Sequence, residues 1–460
     1  MCAIFGALVH NLNTDAKVME ANRIMNYIMN ASRERGRDGW GYSVNSDGWS
    51  QSVRDIARFN GNNVTSPYFL RCKSASVIGN MRAEPTTEFV EKKRLIDQQP
   101  YQLDEWEIVH NGTIANDADL RDGVHRTIID SATIVEVLTE RPGADPLDNM
   151  LYSVGKLKGS YAILARNNTN HDSLYVACNY KPIWYIKTDL GLFFASAASY
   201  FPDEFSPQMV VPYSLLEFKF NDLGETNIKT CSLYPKTKGK PKCLVICSGG
   251  LDSVVAATVL QNNYEMDIEL IHFTYGCRAQ EKELKAVHDV GKTLGVKVTV
   301  MPLPIYKESD SPLLSKTAKA AQGEQGAEYA HEWVPARNLV LLSLATAYAE
   351  ANGFRFIALG NNLEEAGAYP DNEPEFIKRF DNLLAFAVGD NKQLNVIMPV
   401  GNLMKHEIVK MGFDVRAPMG KTWSCYNHNE LHCGKCGPCF MRKTAFEING
   451  LKDSVDYASS

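Results

Sequence analysis

The sequence predicts an α/β protein of two domains, and three observations carry that prediction. Through the first half, short apolar runs rich in β-formers follow one another between turn residues, the pattern of stacked antiparallel sheets. Past Lys242, strand-like and helix-like stretches alternate, the pattern of a doubly wound parallel sheet. Between these halves, Pro235-Lys236-Thr237-Lys238-Gly239-Lys240-Pro241-Lys242 carries no core-forming residue, as expected of a linker. The chain of 460 residues therefore divides into 1–225, a linker at 226–241 and 242–460, in line with about 100–200 residues per domain.

Taken in order, Ala3 to Val9 reads as a buried strand. Val18, Ala21, Met25, Ile28 and Met29 recur at helical spacing and predict a helix from Asp15 to Arg33. Strands are expected at Ser76 to Gly79, Glu107 to His110, Tyr161 to Ala165, Leu174 to Ala177, Ile183 to Ile186 and Leu192 to Ala195. In the second half the expected strands are Cys243 to Cys247, Ile268 to Phe273, Lys297 to Leu303 and Arg355 to Leu359. Helices are expected after Ser253, from Ala279 to Leu294, and from Arg337 to Ala351.

Composition narrows the function. With 45% hydrophobic and 22% charged residues the chain has the make-up of a globular protein, and no apolar run approaches the roughly 18 residues that span a bilayer. No membrane role is expected. The start of the chain has no basic region before its short apolar stretch, so no secretory leader is expected and Cys2 stays in the mature chain. Eleven cysteines, an odd number with four crowded near the end, suit a reducing cytoplasm and a metal site better than a disulfide framework. A net charge of -6 argues against a strong non-specific hold on nucleic acid. A homo-oligomer is compatible with all of this.

Cys2 follows the initiator methionine directly. Removing Met1 joins a thiol nucleophile to an α-amine whose ordinary pKa is about 7.7–8.0, the two parts of an amide-cleaving device. Further motifs follow: Arg35-Gly36-Arg37-Asp38-Gly39, Met81-Arg82-Ala83, His110-Asn111-Gly112, Asp130 and Leu157-Lys158-Gly159-Ser160-Tyr161-Ala162. With them the first half resembles the class II glutamine amidotransferases, which implies the αββα sandwich of the N-terminal-nucleophile hydrolases. The resemblance implies that Cys2 attacks the glutamine side-chain amide while Asn111 and the Gly112 N–H stabilise the oxyanion. Arg82 then holds the substrate α-carboxylate and Asp130 its α-ammonium. The chain departs from that family's pattern at Arg37, where proline is usual, and at Pro85, where threonine is usual, with Thr86 and Thr87 just beyond.

Ser248-Gly249-Gly250-Leu251-Asp252-Ser253 lies between the strand at Cys243 and the following helix, so its N–H groups can converge on phosphate oxygens. The hexapeptide resembles the pyrophosphate loop of ATP pyrophosphatases. It lacks the Gly-Lys-Ser/Thr of a Walker loop, which predicts attack on the α-phosphate of ATP with pyrophosphate leaving. Gly249 and Gly250 admit the phosphates, Ser248 and Ser253 offer hydroxyls, and Asp252 can help hold Mg²⁺.

Cys425, Cys433, Cys436 and Cys439 have the spacing C-x7-C-x2-C-x2-C, which suits a closed tetrahedral Zn²⁺ site in a module at 423–443. An iron–sulfur cluster is the rival reading. From Lys242 onward the chain resembles 7-cyano-7-deazaguanine synthase. The resemblance rests on Phe273-Thr274-Tyr275-Gly276-Cys277-Arg278, Val334-Pro335-Ala336-Arg337-Asn338, Gly360-Asn361-Asn362, Tyr369-Pro370-Asp371 with Glu375-Phe376, and Trp423-Ser424-Cys425-Tyr426. It implies that Arg337 and Asn338 line the nucleotide or substrate cleft and that Tyr369 and Asp371 lie near the deazaguanine. Cys277, Ala279 and Asn372 stand where that family commonly has glutamine, histidine and cysteine.

As a whole the chain is similar to fused amidotransferase and cyano-deazaguanine-synthase-like proteins of the archaeosine-synthase type. The expected activity is glutamine-dependent, ATP-using transfer of ammonia to the 7-substituent of a 7-deazaguanine, free or within nucleic acid, giving a nitrile or a formamidine. Two rivals stand beside it. One is asparagine-synthetase-like amidation of another carboxylate. The other is a non-catalytic scaffold binding nucleotide or nucleic acid through Lys421, Trp423, Tyr426, Lys435, Arg442 and Lys443.

Overall fold

In the strand Ala3–Leu12 nearly every side chain is buried, because the strand has no solvent face. Phe5, Ala7 and Val9 pack with Ile24, Met25 and Ile28 of the helix Asp15–Ser32, while Ile4 and Leu8 face Ala162, Leu164 and Val176 of a second sheet. That second sheet turns Ile163, Ala165 and Tyr175 the other way, against Val135 and Leu138 of the helix Ala132–Thr139 and Met150 of Pro146–Lys156. The period of two along each strand thus separates three apolar layers and produces an αββα sandwich. The structure is a computed structural model that describes residues 2–36, 38–47, 49–60, 68–83, 94–125, 127–170, 172–221, 224–235, 238–318, 320–323, 331–366, 369–389, 392–427 and 429–458. It divides into two units, Met1–Tyr234 and Pro235–Ser460.

In the first unit one sheet runs in the order Gln208–Met209, Trp184–Thr188, Gly191–Ala195, Ala3–Leu12, Cys72–Arg82, Gly39–Ser46, Ser50–Asp55. The other runs Thr226–Ser232, Ser214–Phe220, Ser173–Cys178, Gly159–Asn167, Trp106–Ile114, Tyr101–Leu103. A buried ion pair of the second sheet ties the two together: Arg166 bonds Glu107 within its own sheet and the Ser43 and Ser76 main-chain carbonyls of the facing one. The linker expected from 226 begins later. Thr226–Ser232 pairs along Ser214–Phe220 as an edge strand, and its exposed polar side chains gave it the look of a connector.

The second unit is a five-stranded parallel sheet in the order Val298–Pro302, Asp267–Thr274, Lys242–Ile246, Phe356–Ala358, Asn395–Ile397. Cys243 and Val245 face Val254 and Ala257 of the helix Leu251–Asn262 and Val287 and Val290 of Gln280–Leu294. Leu244 and Ile246 face Leu342 and Ala345 of Arg337–Ala351 and Phe380 of Pro374–Ala387. Buried on both faces, these strands read as continuous apolar runs. Successive strands leave Lys242–Ile246 on one side and return on the other, so the order reverses at its carboxyl end, where open α/β sheets hold ligands.

Candidate functional site

In the first unit the inter-sheet geometry gathers the sequence-predicted residues. Ala3 lies opposite Met81, and at the end of that pairing Cys2 Sγ accepts the Ala83 N–H at 3.4 Å and lies 3.5 Å from the Ala83 carbonyl. Arg82 is buried and its Nη1 donates to the Asp97 carbonyl at 3.0 Å. Two residues earlier, Asn80 Nδ2 donates across the sandwich to the His110 carbonyl at 3.4 Å. That tie brings the Cys2 and Arg82 end of one sheet to His110, Asn111 and Gly112 of the other. Gly112 has φ +154°, and a Cβ there would stand 1.9 Å from the Ser160 carbonyl oxygen, so the close strand approach requires glycine.

His110 is enclosed. Its Nε2–H donates to the Ser160 carbonyl at 3.3 Å, which leaves Nδ1 to accept from the Ser131 hydroxyl at 2.8 Å, and burial pushes its pKa down. Gln99 clamps the same residue, accepting its N–H at 2.6 Å and donating to its carbonyl at 3.1 Å. Asp130 receives the Ile114 N–H on one oxygen and the Ser131 N–H on the other, both at 2.6 Å. Both oxygens of Asp130 thus fix main chain, and Asp97, Gln99 and Ser131 are structural partners that no motif announced. Arg37, Pro85, Thr86 and Thr87 lie outside the described residues.

In the second unit the reversal point opens into a cavity lined by Ser248, Gly250, Asp252 and Ser253 on one side and by Arg337 and Asn338 on another. Gly249 has φ +81°, and a Cβ there would lie 2.7 Å from the Glu283 carbonyl oxygen. The turn is shaped by Ser248 Oγ, which accepts the Gly250 N–H at 3.2 Å, and by Ser253 Oγ, which donates to the Gly250 carbonyl at 3.1 Å. Asp252 is ion-paired with Lys405 and bonded by Asn362 Nδ2 at 3.3 Å through Oδ2, while its Oδ1 is buried without a partner. An orphaned carboxylate oxygen beside a phosphate-type loop fits a divalent cation. Lys405, 153 residues from Asp252 in sequence, belongs to no motif and was missed.

Arg337 Nη1 donates to the Tyr275 hydroxyl at 3.3 Å, and its guanidinium lies 5.9 Å from that ring. The Cys277 thiol donates to Glu283 Oε2 at 3.3 Å. Burial pushes the Glu283 carboxyl up, opposed by that thiol and by the charge of Arg337. Asn338 Nδ2 donates to Asn372 Oδ1 at 2.7 Å, and its main-chain N–H donates to Asp371 Oδ2 at 3.3 Å. Arg337 and Asn338, expected in the nucleotide or substrate cleft, line the cavity; of the two residues expected near the deazaguanine, Asp371 bonds the main chain of Asn338 and Tyr369 stacks on Trp333 with centroids 6.4 Å apart.

The four cysteine sulfurs of the C-terminal module lie within 4.8 Å of one another. Cys433 Sγ to Cys439 Sγ and Cys436 Sγ to Cys425 Sγ are each 3.9 Å. A tetrahedral ion at about 2.3 Å from each sulfur sets them about 3.8 Å apart, so the donor set fits one such ion. An iron–sulfur cluster, with each cysteine on a different iron, spreads its sulfurs wider. The module is tied to the loop, because the Trp423 main-chain N–H donates to the Gly249 carbonyl at 2.9 Å. Trp423, Ser424, Tyr426 and Arg442 line the same cavity. This corrects the reading of Arg442 as part of a charged surface: it is 1% exposed, forked onto Asp453 at 2.7 and 2.9 Å and bonded to Thr422 Oγ1 at 2.6 Å.

A family model described as "Queuosine biosynthesis protein QueC" matches residues 242–450, and one described as "Glutamine amidotransferase domain" matches residues 90–203. The 7-cyano-7-deazaguanine synthase of Sulfolobus acidocaldarius is 41% identical over 470 residues, covering 99% of this chain and 100% of the relative. That of Saccharolobus solfataricus is 41% identical over 472 residues, with 99% of each covered. A protein of the same name from Methanothrix thermoacetophila is 39% identical over 224 residues, which is 48% of this chain and 99% of its own length.

Proposed function

The chain belongs to the 7-cyano-7-deazaguanine synthases, in a form that carries an amidotransferase domain, and from that premise we propose that it builds a 7-cyano group from a 7-carboxy-7-deazaguanine, with glutamine as nitrogen source and ATP as activator. After removal of Met1, the Cys2 thiol attacks the glutamine amide, and its own α-amine carries the proton to the departing ammonia. Asn111 Nδ2 and the Gly112 N–H stabilise the oxyanion, Arg82 grips the α-carboxylate, and Asp130 accepts from the α-ammonium with the lone pairs its main-chain bonds leave. Water then releases glutamate. The relative that matches only 48% of this chain bears the same name, which supports a subsidiary, ammonia-supplying role for the first unit.

In the second unit the 7-carboxylate attacks the α-phosphate of ATP, pyrophosphate leaves, and ammonia converts the acyl adenylate to an amide and AMP. A second adenylation, on the amide oxygen, dehydrates it to the nitrile. Ser248, Gly249, Gly250 and Ser253 receive the phosphates with Lys405 beside them, and Arg337 places a cation opposite the substrate carboxylate. Mg²⁺ on Asp252 Oδ1 would neutralise phosphate charge. The four cysteines would hold Zn²⁺ as a structural ion.

The observation that carries this reading is the pyrophosphate loop and Arg337 on the walls of one cavity, because adenylation brings a carboxylate up to the α-phosphate and these two features can hold one reactant each. Addition of ammonia to a nitrile, giving the formamidine of archaeosine-type chemistry, needs no adenylation. That second reading draws on Cys277 and Asn372, which depart from the family pattern beside Arg337 and Asn338. Mass spectrometry of the products from carboxy- and cyano-deazaguanine, free and within RNA, with amide-labelled glutamine and ATP tests both. A labelled nitrile with release of AMP and pyrophosphate is expected. A labelled formamidine with no ATP consumed would replace the first reading with the second.

A further inference from the structure

Three ionisable groups of the cavity wall could take a proton during nitrogen transfer, and in two of them one atom is already engaged while the other is buried out of solvent reach. Asp252 is ion-paired with Lys405, and its remaining oxygen is enclosed beside the loop. His272 lends Nδ1 to the Cys247 carbonyl at 2.9 Å, and its Nε2 is enclosed. Glu283 differs. It sits in the first turn of the helix Gln280–Leu294, its main-chain carbonyl underlies Gly249, and its side chain borders the cavity. Among the described residues its one hydrogen-bond donor is the Cys277 thiol, on Oε2, and no lysine or arginine is ion-paired to it.

We propose that Glu283 is the general base of the nitrogen-transfer steps, a role that rests on the adenylating reading of this cavity. When ammonia adds to the acyl adenylate, the C–N bond forms and the nitrogen becomes a cationic –NH₃⁺. Glu283 takes one proton from it, the carbonyl reforms, and AMP leaves with the C–O bond, giving the amide. After the amide oxygen has attacked a second ATP, the iminium nitrogen carries two protons. The first is lost to water, and Glu283 takes the second as the nitrile forms and AMP leaves with the former amide oxygen. Between steps the carboxyl returns its proton to water. Burial, which raises the affinity of this carboxyl for a proton, favours both acceptances.

Exchange of labelled pyrophosphate into ATP separates activation from nitrogen transfer, because a carboxylate attacks ATP without giving up a proton. The full chain with Glu283→Gln, given the 7-carboxy base, ATP and ammonium, should exchange pyrophosphate near the native rate. Its amide and nitrile formation should fall by roughly 10²-fold or more, with Glu283→Asp recovering part of the loss. Equal loss of exchange and product would make Glu283 a binding or structural residue and overturn the proposal. So would nitrile formation at the native rate. If the native chain itself shows no exchange with the 7-carboxy base, the adenylating reading fails, whatever Glu283 does.

Discussion

The two units hold their candidate groups by different means. In the first, Arg82, Asn111 and Gly112 are strand residues, each fixed by a ladder to a neighbouring strand and by the inter-sheet bond from Asn80 to His110 close by. In the second, Ser248 to Gly250 lie beyond the end of their strand and are held by the Trp423 N–H, by the Asp252 to Lys405 pair, and by the close approach of Glu283. A ladder fixes a residue as firmly as the sheet itself. A loop held by three long-range ties should loosen when one of them, far away in sequence, is lost.

The largest effect should come from Cys2→Ala. Glutamine-dependent product formation should fall on the order of 10³-fold or more, as loss of a covalent nucleophile does, while synthesis from added ammonium persists. Native glutamine use by this variant would remove the first unit from the proposed reaction. Next, Asp252→Ala takes away both the partner of Lys405 and the proposed cation ligand. Pyrophosphate exchange should drop by roughly 10²-fold, the scale of losing a preorganised electrostatic group, with hydrolysis of glutamine at Cys2 unchanged. Parallel loss of both activities would show that the units do not work independently.

Metal removal tests the tie between the module and the loop. Native protein should contain close to one zinc ion per chain, and Cys436→Ser should lower that content along with the thermal midpoint of the second unit. Because Trp423 and Ser424 adjoin Cys425 and reach the loop and Arg442, ATP affinity should weaken about tenfold, the equivalent of roughly 1.4 kcal/mol. Full zinc loss with native ATP binding would separate the two. Iron with a brown colour would identify the ion as something other than zinc.

These contrasts also explain what the sequence disclosed. Cys2, His110-Asn111-Gly112 and Ser248 to Ser253 were legible because each is a short contiguous motif on a strand or at its end. The clustering of the four cysteines was legible from spacing, because all four belong to one short segment. Glu283, Lys405 and Arg442 were not, because each belongs to an element whose own pattern is an ordinary amphipathic helix; only the reversal of strand order brings them to the cavity. The edge strand Thr226–Ser232 escaped for the opposite reason, since one paired side and exposed polar side chains give little periodic signal.

The smallest expected effect is a pH slope confined to the first unit. Burial disfavours the charged form of His110, whose Nε2 faces the Ser160 carbonyl and Nδ1 the Ser131 hydroxyl, and Asp130 opposes that cost only in part. The folded pKa of His110 therefore lies below the ordinary 6.5, whereas the unfolded chain takes up the proton near that value. The unfolded state binds more protons in this window, so stability is complete above about pH 6.5 and is lost as pH falls toward the folded pKa, by at most about 1.4 kcal/mol per pH unit. His125 shifts in the same direction, so His110→Gln should flatten the slope of the first unit's thermal midpoint between about pH 7 and pH 5 without abolishing it. The transition to follow is the one that a zinc chelator leaves in place. An unchanged slope in the variant would mean that His110 is already protonated in the fold, and the ring would then have to donate to Ser131 rather than accept from it.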